Sequence, residues 1–388
     1  VPLDVAAELA ARIGRQGSIR FDEFVDVALY HPAGGFFAGG SGAGRRGGDF
    51  ITSPEVGPLF GAVVAKYLDA RWEDLGRPDP FVVVEAAAGR GALALAVLAA
   101  APACATALRY VLVERSPVLR EAQGAHLSLA DPSQVLGPDP DPEEDRPSPV
   151  AGGGPLVCRL GDLPAPSVVG VVVANELLDD VPPRLLERSA TGWHEVRVTA
   201  APDTPDTPDT PARWVELLVP ADAAASAAAD LLAPDAAVGD RIPLHDGAAD
   251  WLRRALDVVA AGSVLVVDYA SATTAELASR PWTDWLRTYR EHERGGHPLV
   301  DPGGQDITVE VAIDQLARVA PPDGDDAQAD WLRRWGIDGL VEAGRREWEA
   351  RRGVADLAAL RARSRAVEAD ALLDPTGLGA FRVLEWRR

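Results

Sequence analysis

Four short aliphatic runs each end in a side chain able to hold a polar ligand: Glu85 after FVVV, Glu114 after YVLV, Asn175 with Glu176 after VVVA, and Asp268 after VLVV. β-branched runs without polar alternation read as strands buried on both faces. Their chemistry-bearing ends then belong together, because ligands of such sheets bind outside the carboxyl ends of the strands. After Glu85 and Ala86 comes the turn Ala87, Ala88, Gly89, Arg90, Gly91. Its glycines let the backbone approach a ligand closely, and the helix that follows presents unpaired N–H groups. Glu114 stands 23 residues beyond Gly91, where an acid can accept both hydroxyls of an adenosine ribose. Residue types and spacing together point to a nucleotide-like cofactor.

The elements that must position these groups follow from periodicity. Strands are predicted over residues 81–84, 110–113, 168–174 and 263–267, with helices over 92–101, 117–127 and 251–260. A closing strand over 381–386 follows a turn bearing Pro375, Gly377 and Gly379. Strands alternating with helices imply the α/β class with a doubly wound, mainly parallel sheet. Upstream, a glycine-rich tract between Gly34 and Gly48 reads as a loop. Ser53 is expected as the N-cap of a helix running from Pro54 to Leu75. Shorter strand-like runs at 194–198 and 214–219 flank a threefold AspThrPro repeat. Residues 271–370 read as helical with loops, and Trp282, Trp285, Trp331 and Trp335 as core at helical spacing. The expected division is an N-terminal segment 1–75 covering the site, a core of 76–270 with 371–388, and a helical insertion 271–370. Loop insertions rich in Pro, Gly and acid fall at about 137–155 and 200–212.

At 388 residues and 47% hydrophobic content the chain can bury a large core, enough for two domains or one with large insertions. No apolar run reaches the roughly 18 residues a membrane span needs. Asp4, Glu8 and Arg12 fall at helical spacing, unlike a leader peptide, so a cytoplasmic location is expected. The net charge of −21 argues against nucleic acid, whose phosphates call for excess Lys and Arg. Neither nucleic acid nor membrane is expected as a partner; a basic protein is favoured, although an acidic surface also serves solubility alone. Cys104 and Cys158 read as small buried hydrophobes, and the six scattered histidines form no HExxH pattern, so no metal site is expected.

The glycine turn parses in two ways. As GxGxxA it is Gly89, Gly91 and Ala94, a dinucleotide fingerprint; as an acid followed by GxGxG it is Glu85, Ala87, Gly89 and Gly91, with alanine in the first glycine position. Neighbouring motifs separate these. ALYHPAGGFF, GDFITSPEVGPLFG, EAAAGRGALA, VLVERSPVLREAQ and VVVANELLDDVPPRLLE occur in that order, followed by VLVVDYA, TYREH, GGQDIT, AQADWLRRWGI and GLGAFRVLEW. On these motifs the chain resembles the MidA family of class I S-adenosylmethionine-dependent methyltransferases. The resemblance covers nearly the whole chain, and GDFITSPE and ANELLDDVP are its most specific parts.

That resemblance implies a seven-stranded sheet with an antiparallel C-terminal strand, and S-adenosylmethionine as cofactor. Glu85, Gly89 and Gly91, with Ala87, would hold its amino-acid end. Glu114 would meet the ribose and Asp162 with Leu163 the adenine edge, with Arg115 also among the cofactor-binding residues. Asp49, Phe50 and Thr52 would fold over the cofactor. Asn175 and Glu176 would face the transferred methyl group. The implied acceptor is an arginine of a partner protein, whose planar guanidinium Glu176, Asp179 or Asp180 can clamp by paired hydrogen bonds. Transfer from a sulfonium demands positioning more than acid or base chemistry. Ala87 departs from the family's glycine, which leaves open a methyltransferase-like assembly or interaction factor without catalysis. An NAD(P)-dependent oxidoreductase using Gly89, Gly91 and Ala94 is the other alternative, but it leaves GDFITSPE and the Asn175–Glu176 strand end unexplained.

Overall fold

The structure is a computed structural model that describes residues 4–39, 52–137, 151–165, 167–202, 213–290, 293–354 and 356–388. Asp49, Phe50, most of the glycine-rich tract and most of both loop insertions lie outside the described residues. The chain forms two compact units. One comprises Val1–Phe50, Leu177–Arg253 and Tyr269–Pro321, the other Ile51–Glu176, Arg254–Asp268 and Pro322–Arg388.

The second unit is built on a seven-stranded sheet. Its strands are β1 (Phe81–Ala86), β2 (Leu108–Val113), β3 (Leu156–Leu160), β4 (Val168–Asn175), β5 (Val259–Asp268), β6 (Gly324–Ala327) and β7 (Arg382–Arg387). They lie in the order β6-β7-β5-β4-β1-β2-β3. The five strands β1 to β5 pair in parallel, while β7 runs antiparallel to both β5 and β6. This is the mainly parallel sheet with an antiparallel C-terminal strand that the sequence implies.

Register brings the strand ends level. Leu160, Val113, Ala86, Ala174, Val266 and Leu384 form one row across the sheet. One step further along the parallel strands stand Glu114, Ala87 and Asn175, and the step after that reaches Glu176 and Asp268. The four predicted polar strand ends therefore share one edge, as β-branched strands buried on both faces require.

Helices cover the sheet: α1 (Pro58–Asp74), α2 (Ala92–Ala99), α3 (Ile337–Arg351) and α4 (Leu357–Leu372). Leu59, Phe60, Val63, Val64, Tyr67 and Leu68 of α1 are buried in one core with the strands, together with Trp331. Trp331 and Trp335 pack on Tyr67 at ring-centroid distances of 5.5 and 5.2 Å, and Trp285 is buried in the other unit, consistent with core roles. Cys104 and Cys158 are likewise fully buried.

Four expectations need correction. The helix expected from Pro54 to Leu75 is broken at Gly57 into Ser53–Val56 and α1. Thr52, not Ser53, occupies its N-cap, because the Ser53 side chain is buried and bonded elsewhere. The compact units also cut the expected segments 1–75 and 271–370, since α1 buries its apolar face on the sheet and β6 is hydrogen-bonded into it. Finally, 271–370 is not wholly helical. Leu286–Arg290, Glu293–Arg294 and Asp306–Val309 form a small antiparallel sheet, in which Leu286 and Thr288 alternate inward with period two.

The other unit holds an antiparallel sheet in which Gly192–Ala200 pairs with Arg184–Ser189, Trp214–Pro220 and Ile19–Arg20. The two strand-like runs flanking the repeat are thus neighbouring strands. Helices Val5–Gln16 and Phe21–Tyr30 share its core.

Candidate functional site

The turn between β1 and α2 is left-handed at three positions. Ala87 has φ 55°, Gly89 φ 51° and Gly91 φ 82°. At Gly91 a Cβ would also stand 2.8 Å from Leu127 Cδ1, so glycine is favoured there, whereas a Cβ on Gly89 would meet no described atom within 4 Å. Gly89 thus offers an open backbone surface beside the N-terminus of α2, suited to close approach by a ligand. Ala87 takes its positive φ with an exposed methyl group. Its cost is the steric penalty of about 1 to 2 kcal/mol for a non-glycine residue in this region.

Glu85 lies beneath this turn, 4% exposed. Tyr110 donates its hydroxyl to Glu85 Oε2 at 2.7 Å. Burial pushes the Glu85 carboxyl up to about 8, against the opposing hydrogen bonds from Tyr110 and the Ala94 backbone. Its position makes it a group that shapes the turn.

Glu114 and Gln123 grip the turn from the next strand–helix unit. The Gly89 N–H donates to Glu114 Oε2 at 2.9 Å, and the Ser116 N–H to Glu114 Oε1 at 2.8 Å. Gln123 Nε2 donates to the Gly89 carbonyl at 2.9 Å. Burial raises the Glu114 carboxyl above its ordinary range, and the Ser116 and Gly89 hydrogen bonds oppose that. Gln123 is fully buried, yet its Oε1 has no hydrogen-bond partner among the described residues. Arg115 is exposed beside Glu114. Asp162 follows β3 and is also exposed: it accepts from the Leu163 N–H at 2.8 Å and from Arg254 Nη2 at 2.6 Å.

At the end of β4 the chain does something unusual. Glu176 is left-handed, φ 52°, and its N–H donates to the Val267 carbonyl at 2.8 Å. A glutamate in that conformation is strained by about 1 to 3 kcal/mol, a kind of outlier that concentrates at functional sites. Its Oε1 accepts from Asn175 Nδ2 at 2.9 Å and from the Ser53 N–H at 3.1 Å. The fully buried Ser53 hydroxyl donates to Gln328 Oε1 at 3.0 Å, and the Gln328 N–H donates to the Phe381 carbonyl at 2.7 Å. Thr52 begins this segment, and its backbone hydrogen-bonds the Glu55 carboxyl. Burial pushes Glu55 up to about 7, despite that bond and the charge of Arg90. Glu55 Oε2, Asn175 Oδ1 and Gln328 Nε2 have no hydrogen-bond partner among the described residues.

Asp179 and Asp180 belong to the other unit. There Thr308 Oγ1 donates to Asp179 Oδ2 at 2.6 Å, the Val309 N–H to the Asp179 carbonyl at 2.9 Å, and the Tyr30 hydroxyl to the Asp180 carbonyl at 3.1 Å. Ser53, Glu55, Gln123 and Gln328 were not singled out as site residues from sequence. All four lie inside the quoted motifs, GDFITSPE, VLVERSPVLREAQ and AQADWLRRWGI, which were the available signal.

Open backbone at Gly89, an unpartnered buried acceptor on Gln123 and a carboxylate at the β2 end suit a nucleoside carrying an amino-acid arm. Comparison with known proteins agrees. Residues 63–328 match the family model described as "Putative S-adenosyl-L-methionine-dependent methyltransferase". The mitochondrial protein arginine methyltransferase NDUFAF7 homolog of Drosophila melanogaster is 28% identical over 82% of this chain and 70% of its own length. Human mitochondrial protein arginine methyltransferase NDUFAF7 is 26% identical over 85% and 73%. A Burkholderia thailandensis structure with S-adenosyl-homocysteine bound is 26% identical, with a TM-score of 0.75, covering 99% of this chain and 92% of that one.

Proposed function

The chain belongs to this family of S-adenosyl-L-methionine-dependent methyltransferases, and we propose that it methylates an arginine side chain of a partner protein. The carrying observation is Glu176, held in a strained backbone conformation with one carboxylate oxygen fixed by Asn175 and Ser53. When bound, S-adenosylmethionine supplies an activated methyl group. The turn from Ala87 to Gly91 with Glu114 and Gln123 would hold it, and the Glu176 carboxylate would align a guanidinium nitrogen and balance its charge.

The acceptor nitrogen must shed one proton as its bond to carbon forms. Glu55, whose buried Oε2 has no hydrogen-bond partner among the described residues and whose carboxyl is pushed up to about 7 by burial, lies two residues from Ser53, which holds Glu176, and is suited to take that proton. The names of the mitochondrial relatives support arginine as acceptor, and a carboxylate partner for a planar cation is in keeping with it.

The test incubates the protein with methyl-labelled S-adenosylmethionine and a peptide array differing only in Arg, Lys and Gln at one position. Label confined to arginine is expected, with Glu55→Gln slowing transfer and removing the rise of rate with pH near neutrality. Label on lysine alone, or none on any peptide or protein fraction, would overturn the arginine reading.

A further inference from the structure

We propose that the free end of the α3–α4 hairpin docks on anionic lipid headgroups at a membrane surface. The hairpin is rooted in the sheet unit by Ile337, Val341, Ala369 and Leu372, which share its core, and by Glu368, which accepts the Leu59 N–H at 2.9 Å. From residue 345 to residue 358, by contrast, no described residue is buried. Among the described residues, this end is held by the pairing of the two helices.

Two features segregate there. Val354 and Leu357 are each 74% exposed, Val367 66% and Leu360 48%. Leu357, Leu360, Ser364 and Val367 recur on one helical face, with Arg361 among them. Between residues 342 and 365 the chain carries seven arginines against four acids, within a protein of net charge −21. Arg352 pairs with Glu349 at 3.1 Å and Arg346 with Glu342 at 3.3 Å, exposed contacts that exchange readily for another anion. Arg361 and Arg363 have no carboxylate partner among the described residues, and Arg363 lies over the Trp348 ring at 5.3 Å.

Aliphatic side chains standing this clear of their neighbours need a partner that yields to them. A protein would have to supply a matching cleft, whereas a bilayer interface accepts projecting Leu and Val while flanking arginines snorkel to the phosphates. The lack of a spanning apolar run set membranes aside as partners, but that criterion does not address surface docking, and the fold gathers a basic, apolar ridge at one place. A single short ridge gives reversible, salt-sensitive attachment.

The full chain is sedimented with phosphatidylcholine vesicles, with and without phosphatidylglycerol, at physiological and at high salt. Binding is expected only to the anionic vesicles, weakened about tenfold or more by high salt and by the Arg361→Glu/Arg363→Glu pair. Leu357→Ser should weaken it several-fold. Thermal shift with S-adenosyl-homocysteine, unchanged in each variant, reports that the fold is intact. Equal binding to neutral vesicles, no vesicle binding, or capture on polyglutamate beads in place of vesicles overturns the proposal, as do variants that bind like the parent.

Discussion

The backbone N–H of Gly89 donates to Oε2 of Glu114 at 2.9 Å, tying the turn after β1 to the end of β2. Gln123 holds the carbonyl of the same glycine. Two side chains from the next strand–helix unit therefore fix the attitude of one peptide group, and any ligand lying over Gly89 inherits that alignment.

Glu114→Ala should weaken S-adenosyl-homocysteine binding by about 10- to 100-fold, because the Gly89 donor loses its partner at a cost of about 1 to 3 kcal/mol. Calorimetric titration reads this directly. Parent-like affinity in that variant would remove Glu114 from the cofactor site.

Ala87→Gly should stabilise the protein by a few tenths to about 1 kcal/mol. Relief of the left-handed strain exceeds the added flexibility of glycine in the unfolded chain. The same change should tighten S-adenosyl-homocysteine binding by about two- to fivefold, roughly 0.4 to 1 kcal/mol. Urea unfolding and calorimetry check the two parts separately, and a lower midpoint would show that Ala87 carries no strain.

Glu176→Gln should abolish methyl transfer, by about 100-fold or more, while leaving cofactor affinity within about twofold. The glutamine keeps an acceptor for Asn175 and Ser53 but loses the charge that balances a guanidinium. Full turnover in this variant would eliminate Glu176 as the acceptor-aligning group.

Glu85 makes stability fall as pH rises. Its folded-state carboxyl sits near 8, driven up by burial, whereas an unfolded one titrates at the ordinary 4.5. Between those values the native state binds more protons than the unfolded state, so unfolding becomes easier with increasing pH. Melting temperatures measured across that window should decline in the parent and decline less steeply in Glu85→Gln, since Glu55 and Glu114 are also raised by burial. Parallel curves would place the pH dependence elsewhere.

The strand ends were legible because β-branched runs declare buried strands, and Glu85, Glu114, Asn175 and Asp268 each close one. Other parts of the site could not be read locally. Ser53 and Gln328 are 275 residues apart and meet only through the fold. Leu286–Arg290 carries two arginines and a tyrosine, so its strand character comes from pairing with Asp306–Val309. The unit boundaries escaped for a related reason: α1 belongs to the sheet by the face it buries, which no composition shift marks.

The parallel-sheet unit is assembled from three stretches of chain, Ile51–Glu176, Arg254–Asp268 and Pro322–Arg388. Strand β5 pairs with β4 on one side and with β7 on the other, through Ser263↔Arg387 to Asp268↔Arg382. During synthesis, β5 must therefore wait with an open edge from residue 268 until residue 387 has been made, a delay of many seconds at about 5 to 20 residues per second. That exposed edge is the stage at which the nascent protein is open to aggregation and to chaperone capture.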